Sequence, residues 1–523
     1  MKIPTKKELL ELQKKYRTDK KIGEVFGVPG RLVTYWRSKK KIGPYNLPKY
    51  SREKITELWE RYGNDKLAGL ELGVSGPGFR QWRIKYSLKQ KPASLKFEQL
   101  ELSLPDSLRK NKSARKETFA RKLLAKKAGL KSVEEGQIIE VQPDMAIVGI
   151  EAALVLNHFK EMGAARVWDK SRIIIVFDRP IAALQENSVT SLKAVREFIK
   201  KQGIERFYDI GWGISHQIIV EEGLVMPNHL AIGTANHTLA YGGIGALSTD
   251  ITAIDMAAIW ANGSIWLKVP STIKIVVKGA LARGVSARDI VLKLYHDFGV
   301  GGANYRAIEF FGEAMTTMSI SQRFVMASLT REFNAKSVLV PFDNLTQKYL
   351  KKFTRQKFTP LTADADAQYE NELEINVSYL TPQVASIDHL SHVKPVEEVA
   401  GKKIDLIVLG GCSHGSLNDL EQAAAVLKGR RVHRDTRVLI VPSSRNAYLE
   451  AIEKGIIRLF VESGCVMTSP GFDVKQWSMA DNERVLATCG CAHLQGKEIY
   501  LCSPATAAAS ALEGAIADPR RYL

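Results

Sequence analysis

From Thr118 to the last residue, short β-branched runs alternate with stretches of helical periodicity. The runs fall at 138–141, 173–177, 229–232, 273–277, 337–340, 404–409 and 438–441. Each is too short to be a helix, and glycines crowd the junctions, so each reads as a strand. Strands alternating with helices predict layered α/β domains. A chain of 523 residues leaves room for about three or four of them. Apolar residues make up 45% and charged residues 25%, which excludes global disorder. No stretch approaches the ~18 consecutive apolar residues that a membrane-spanning helix needs. Charges fill the first ten residues, where a secretory leader would need an apolar core, so a cytoplasmic location is expected. Five cysteines are too few for a disulfide scaffold and read as core residues, metal ligands or reactive thiols.

Charge divides the chain in two. Residues 1–131 hold 34 Lys+Arg against 13 Asp+Glu, a net +21, and the remainder is near neutral at −2. The basic arm also contains a repeat. Residues 9–37 align without a gap onto 55–83 at an offset of 46. Glu11, Leu12, Tyr16, Asp19, Lys20, Gly23, Gly27, Val28, Gly30, Trp36 and Arg37 recur as Glu57, Leu58, Tyr62, Asp65, Lys66, Gly69, Gly73, Val74, Gly76, Trp82 and Arg83. Identities in one ungapped register argue for internal duplication. Each copy reads helix, turn, helix. Asp19 caps a short helix to Phe26, Gly27 takes the left-handed turn, and a second helix runs from Gly30 with Trp36 packed inward.

The arm resembles tandem helix-turn-helix DNA-binding units. That resemblance implies DNA as a partner of residues 1–90, with the second helix of each unit in a major groove. Arg31, Thr34, Arg37, Arg80, Gln81 and Arg83 are then the candidate contacts. A helical pair docking on protein is the alternative. Residues 91–116 mix Lys, Pro, Ser and Gln and read as a linker, with a short amphipathic stretch at 95–104.

The body carries motifs in a fixed order: Thr118-Phe-Ala-Arg-Lys-Leu-Leu, Gly136-Gln-Ile-Ile-Glu-Val, Gly213-Ile-Ser-His-Gln, Ile232-Gly-Thr-Ala-Asn-His-Thr, Ala307-Ile-Glu-Phe-Phe-Gly, Leu339-Val-Pro-Phe-Asp, Gly410-Gly-Cys-Ser-His-Gly-Ser and Tyr500-Leu-Cys-Ser-Pro-Ala-Thr. In this order it resembles the aconitase and isopropylmalate dehydratase large subunits over about its last four hundred residues. The resemblance implies aconitase-like three-layer α/β domains without the swivelling domain. Residues 117–400 would form domains 1 and 2, and 401–523 domain 3. It also implies a hydro-lyase or isomerase acting on a hydroxy-di- or tricarboxylic acid. In the family a [4Fe-4S] cluster acts as Lewis acid on the substrate, and a serine on the swivelling domain removes the carbon-bound proton. Here a separate small subunit would supply that serine.

Carried over residue by residue, the match is mixed. Cys412 matches the first cluster cysteine and Asp419 the acid after it. The family's Cys-Thr-Asn has become Cys412-Ser413-His414. The paired cysteines expected after Pro470-Gly471 are missing. The catalytic Asp-His has become Asp178-Arg179, and Asp-Ser-His has become Ala235-Asn236-His237. His216 matches a site histidine, and Glu332 matches the carboxylate expected to pair with His237. Arg179, Asn236 and Lys497 stand where the family binds substrate. The arginine-rich clamp loop now reads Cys491-Ala-His-Leu-Gln-Gly-Lys497, and a lysine cannot form the bidentate fork.

Three metal states stay open. Cys489 and Cys491 could replace the lost pair and hold a cluster with Cys412. A mononuclear zinc or iron could sit on Cys412, His414, His216 and His237. The pocket could hold no metal. Two functions stay open with them: a divergent hydro-lyase, or a transcription regulator whose degenerate body senses a carboxylate or a redox state.

Overall fold

The computed structural model describes residues 4–16, 19–40, 42, 51–62, 68, 76–86, 88, 116–178, 186–235, 237–299, 301–355, 359–386, 389–411, 414–472, 480, 482–489 and 498–523. The chain divides into two compact units, 1–111 and 112–523. The amphipathic stretch read at 95–104 lies outside the described residues, as does nearly all of the 91–116 linker.

In the first unit, helices Lys6–Tyr16, Asp19–Phe26 and Gly30–Lys39 enclose Leu9, Ile22, Val28, Val33, Trp36 and Ile42. Gly27 makes the tight turn at φ +63°, as the repeat predicts. Helices Arg52–Tyr62 and Gly76–Lys85 enclose Ile55, Leu58, Trp59, Ala68, Phe79 and Trp82. Leu9, Ile22, Val33 and Trp36 recur 46 residues on as Ile55, Ala68, Phe79 and Trp82, so the repeat is a repeat of cores.

Two expected DNA contacts belong to those cores instead. Arg37 is buried, and its Nε and Nη2 donate to Asp19 at 2.7 and 2.5 Å. Its Nη1 donates to the Ile42 carbonyl at 3.3 Å. Arg83, its repeat partner, is buried as well. It donates to the Leu88 carbonyl at 3.3 Å and lies 4.6 Å over the Trp59 ring. The spacing explains this. Val33, Trp36 and Arg37 sit at i, i+3 and i+4 and share the inner face. Thr34 is exposed, and its hydroxyl donates to Asp19 at 2.7 Å. The side chains of Arg80 and Gln81 lie outside those described.

The second unit has the expected layered α/β architecture, and every run read as a strand contains one. The first sheet is wholly parallel, in the order Phe207–Tyr208, Ile173–Val176, Met145–Val148, Leu230–Gly233, Leu247–Asp250. The second is parallel too: Ser337–Leu339, Ala307–Phe311, Thr272–Lys278, Asn371–Asn376. The third has seven strands. Leu406–Gly410 is flanked by Arg437–Val441 and Arg484–Ala487, all parallel. Strands with both faces covered by helices are buried throughout, which is why Ile173–Val176 and Leu230–Gly233 read as continuous apolar runs. Gln383–Ser386 and His389–Pro395 form an antiparallel pair that joins the third sheet through Glu498–Leu501. That sheet therefore begins ahead of the 400/401 boundary read from the sequence. Helices start on Ser-x-x-Asp and Ser-x-x-Gln capping boxes at Ser286/Asp289, Ser319/Gln322 and Ser416/Asp419. None of the described helices is long and apolar enough to cross a membrane.

Candidate active site

In an open parallel sheet, ligands bind beyond the carboxyl ends of the strands. The candidate residues of the first sheet gather there. Asp178 lies two residues beyond Ile173–Val176, and its carboxylate lies 3.6 Å from where a Cβ on Gly149 would stand. Gly149 directly follows the neighbouring strand Met145–Val148, and the Ala235 methyl is 3.7 Å from the same point. His237 follows Leu230–Gly233 and occupies the N-cap of the 3-10 helix Thr238–Ile244. His216 sits in the first turn of helix Ser215–Glu221, 5% exposed.

The two histidine rings are 5.7 Å apart, centre to centre. His237 Nδ1 and Ser328 Oγ form a 2.7 Å hydrogen bond. Ser328 is buried on helix Ile320–Leu329, so a second structural layer holds this ring in place. Glu332, expected as the partner carboxylate of His237, is exposed on the following 3-10 turn.

The loop carrying His216 is tied to the third sheet. Gly213 pairs with Ser444 in an isolated antiparallel bridge. Ile214 N–H donates to the Ser443 carbonyl at 2.7 Å, and Arg445 N–H donates to the Trp212 carbonyl at 2.8 Å. A Cβ on Gly213, at φ +122°, would stand 2.3 Å from the Ser443 carbonyl, so only glycine fits. Ser444 Oγ donates to Glu221 Oε1 at 2.9 Å, and Gln217 donates to the same oxygen at 2.6 Å. Burial pushes the Glu221 carboxyl up despite these bonds.

The third sheet contributes His414, Asp419 and Cys489. His414 is 2% exposed, between Leu406–Gly410 and helix Leu417–Leu427. Burial pushes its imidazole well below the usual histidine range, and the nearby positive charges of Arg288, His237 and His216 act in the same direction. His414 thus lies within electrostatic reach of His216 and His237. Asp419 caps its helix, accepting from Gly415 N–H at 3.0 Å and Ser416 N–H at 3.1 Å. Burial still pushes its carboxyl up to about 6.

Cys489 follows Arg484–Ala487 and is 2% exposed. Strand pairing continues up to it: Gly410 N–H donates to Thr488 Oγ1 at 2.9 Å, and Thr488 N–H to the Val408 carbonyl at 3.0 Å. A Cβ on Gly411 would come within 2.8 Å of Cys489 Sγ. Gly411 directly precedes Cys412. Among the described residues, no group of three His, Cys, Asp or Glu side chains is arranged to hold a metal. Arg179, Asn236, Cys412, Cys491 and Lys497 lie outside the described residues. Cys465 and Cys502 are buried within the third-sheet core.

Sequence reasoning missed Ser328 and Arg288. Ser328 is 91 residues from its histidine. Arg288 is 1% exposed at the start of helix Ala287–Phe298 and acts electrostatically on His414, Asp419 and Cys502. A charged residue inside a capping box and ahead of an apolar run was the available signal.

The fold and this histidine-bearing site define a layered α/β enzyme whose site residues come from the first and third sheets and from helix Ile320–Leu329. Its family follows from comparison with known proteins. The aconitase family (aconitate hydratase) matches residues 159–514. The 3-isopropylmalate dehydratase large subunit 1 of Methanopyrus kandleri is 39% identical over 416 residues, covering 78% of this chain and 99% of that protein. The 3-isopropylmalate dehydratase large subunit of Clostridium botulinum (strain Eklund 17B / Type B) is 39% identical over 77% and 99%. A probable methanogen homoaconitase large subunit of Methanosarcina mazei is 40% identical over 70% and 96%. The chain belongs to the aconitase family, a family of hydro-lyases. Crystalline Thermococcus kodakaraensis aconitase X aligns at TM-score 0.41 and 14% identity over 68% of this chain and 84% of that one, too loosely to assign any residue.

Proposed function

We propose that this chain is the large subunit of a two-chain cytoplasmic hydro-lyase acting on a hydroxy-di- or tricarboxylic acid, with a DNA-binding arm in residues 1–90. The observation that carries the enzyme reading is the pairing of His216 and His237, ring centres 5.7 Å apart, beyond the carboxyl ends of the first sheet's parallel strands. The relatives' names, 3-isopropylmalate dehydratase and homoaconitase, supply the substrate class. Those relatives are large subunits, which supports a separate small subunit bringing the proton-abstracting group.

In this reading Asp178, His216, His237 and Glu332 handle protons at the leaving water. The Ser328 bond holds one nitrogen of His237 and so orients its ring. Arg179, Asn236 and Lys497 receive the substrate carboxylates. The family's own cluster ligands do not fit, because the loop that follows Gly471, Phe-Asp-Val-Lys-Gln-Trp, contains no cysteine. No step is therefore assigned to a cluster. The approach of Cys489 to Gly411 supports Cys412, Cys489 and Cys491 as an alternative thiolate set.

The test is turnover. The full chain, mixed without oxygen with a small subunit of the family, should dehydrate 3-isopropylmalate or a longer hydroxy-tricarboxylate, read as absorbance of the conjugated alkene. No turnover on any such acid, combined with tight binding of one and a change in DNA affinity, would establish the regulator reading instead.

A further inference from the structure

The helix that carries His216 is gripped from outside. Ser215–Glu221 has seven residues, too few for an isolated helix to keep its conformation in water. What holds its ends therefore sets its direction, and one turn of the third sheet, residues 442–445 beyond strand Arg437–Val441, holds both. At the amino end Ile214 N–H donates to the Ser443 carbonyl at 2.7 Å. Beside that bond Arg445 lies 4.4 Å over the Trp212 ring. At the carboxyl end the Ser444 hydroxyl donates to Glu221 Oε1 at 2.9 Å, across 223 residues of sequence. Gln217, one turn earlier on the same helix face, donates to that oxygen at 2.6 Å. Ser444 is 1% exposed, and its oxygen also accepts from Ala447 N–H at 3.0 Å as the cap of helix Arg445–Glu453. The cap orients the hydroxyl and leaves its one hydrogen for Glu221.

The same turn reaches the neighbouring site segments. Ser443 N–H donates to the Gly415 carbonyl at 2.8 Å, next in sequence to His414, and Gly471 N–H donates to the Pro442 carbonyl at 3.1 Å. A Cβ on Gly471 would stand 3.0 Å from the Asp178 carbonyl oxygen and 3.2 Å from the Gly213 carbonyl carbon. Those contacts belong to the main chain. The Ser444–Glu221 bond is made by side chains, so substitution reaches it.

We propose that Glu221 and Ser444 are positioning residues for the hydro-lyase reaction, whose bond sets the tilt of helix Ser215–Glu221 and so the place of the His216 ring. This rests on the hydro-lyase reading and names what holds one of its residues. Glu221 lies five residues beyond His216, about 7.5 Å along the axis, at the far end of a short lever. Freed there, the helix pivots on the Ile214 bond and carries the ring with it. A misplacement of about 1 Å at a reacting group costs up to about 100-fold in rate, and loss of a partner behind such a group typically costs about 10- to 100-fold.

The experiment is a double-mutant cycle in the full chain with its small subunit, assayed far below Tm. Glu221→Ala leaves the Ser444 cap in place and should lower kcat about tenfold, with KM within about twofold of wild type. Ser444→Ala should do the same. The double variant should be no slower than the slower single one, since all three lack the same bond. Ser444→Thr keeps the hydroxyl and should stay within about threefold of wild type. Hydrogen exchange supplies a readout without turnover: both Ala variants should lose about tenfold in protection over 214–222. Multiplying losses in the double variant, or Ser444→Thr as slow as Ser444→Ala, overturns the positioning role. A lower Tm with unchanged kcat overturns it too, because the bond then serves stability alone. Wild type that turns over no hydroxy acid overturns the hydro-lyase reading instead; lowered protection in the variants would then still establish the grip on the helix, and unchanged protection would overturn that as well.

Discussion

Arg37→Ala should loosen the first repeat. The Arg37 guanidinium makes a two-pronged contact with Asp19 and a third bond to the Ile42 carbonyl. The paired side chains are 10% and 20% exposed. Removing one partner of a fully buried ion pair costs about 3–5 kcal/mol, because a charge is left behind without compensation. Asp19 retains some water and the Thr34 hydroxyl, so the cost here is lower, about 2–3 kcal/mol. Hydrogen exchange in the full chain reads this locally. A loss of that size lowers protection of the amides in helices Asp19–Phe26 and Gly30–Lys39 by about 30- to 150-fold. Arg37→Lys should lose about half as much free energy, since a lysine cannot span both carboxylate oxygens. The Arg37 hydrogen bond also holds the Asp19 carboxyl below its usual range. A depressed carboxyl stabilises the fold above its unfolded value, about 3.9, and loses that contribution as pH falls through the folded value. The acid sensitivity of this repeat should therefore be smaller in Arg37→Ala, where only the Thr34 hydroxyl still holds the carboxyl down. Protection within about threefold of wild type would refute the internal role. If DNA affinity fell at the same time, Arg37 would be a contact residue after all.

Other outcomes follow from the body. Ser328→Ala should lower kcat about tenfold with KM little changed, since second-layer partners of reacting histidines act on orientation; unchanged kcat would remove Ser328 from the site. Gly411→Ala, at φ +100° and with a Cβ 2.8 Å from Cys489 Sγ, should destabilise the body by about 2 kcal/mol or more, read as a drop of a few degrees in Tm. A Tm within one degree of wild type would show that the loop yields. Burial pushes the Asp289 carboxyl up to about 6 from an ordinary ~3.9. The folded state then holds that proton longer, so stability falls as pH rises from about 4 to about 6 and levels off above. Asp289→Asn should remove that fall in urea unfolding at stepped pH; an identical pH dependence would contradict it.

What was legible in the sequence follows its physics. Ile173–Val176 and Leu406–Gly410 announce themselves because a strand covered on both faces must be apolar throughout. The 46-residue repeat gave the arm's cores, since the duplicated positions are the ones that pack. Arg37 was misread by its charge alone, although its spacing from Val33 and Trp36 already placed it inward. The third sheet reaches ahead of residue 400 in a way the sequence does not announce, because Gln383–Ser386 pairs with Glu498–Leu501, a partner more than a hundred residues away. His216 and His237 were legible through motifs, whereas Ser328 and Arg288 come together with them only in the folded chain.

The central claim is that this body is a hydro-lyase and not a silent relative of one. The most direct measurement is turnover of 3-isopropylmalate and hydroxy-tricarboxylates by the anaerobically purified chain with a small subunit, with iron and sulfide determined on the same sample. The account predicts alkene formation that needs both chains and falls sharply in His237→Ala. Absence of turnover across the hydroxy acids, by a folded chain that binds its small subunit, would contradict it.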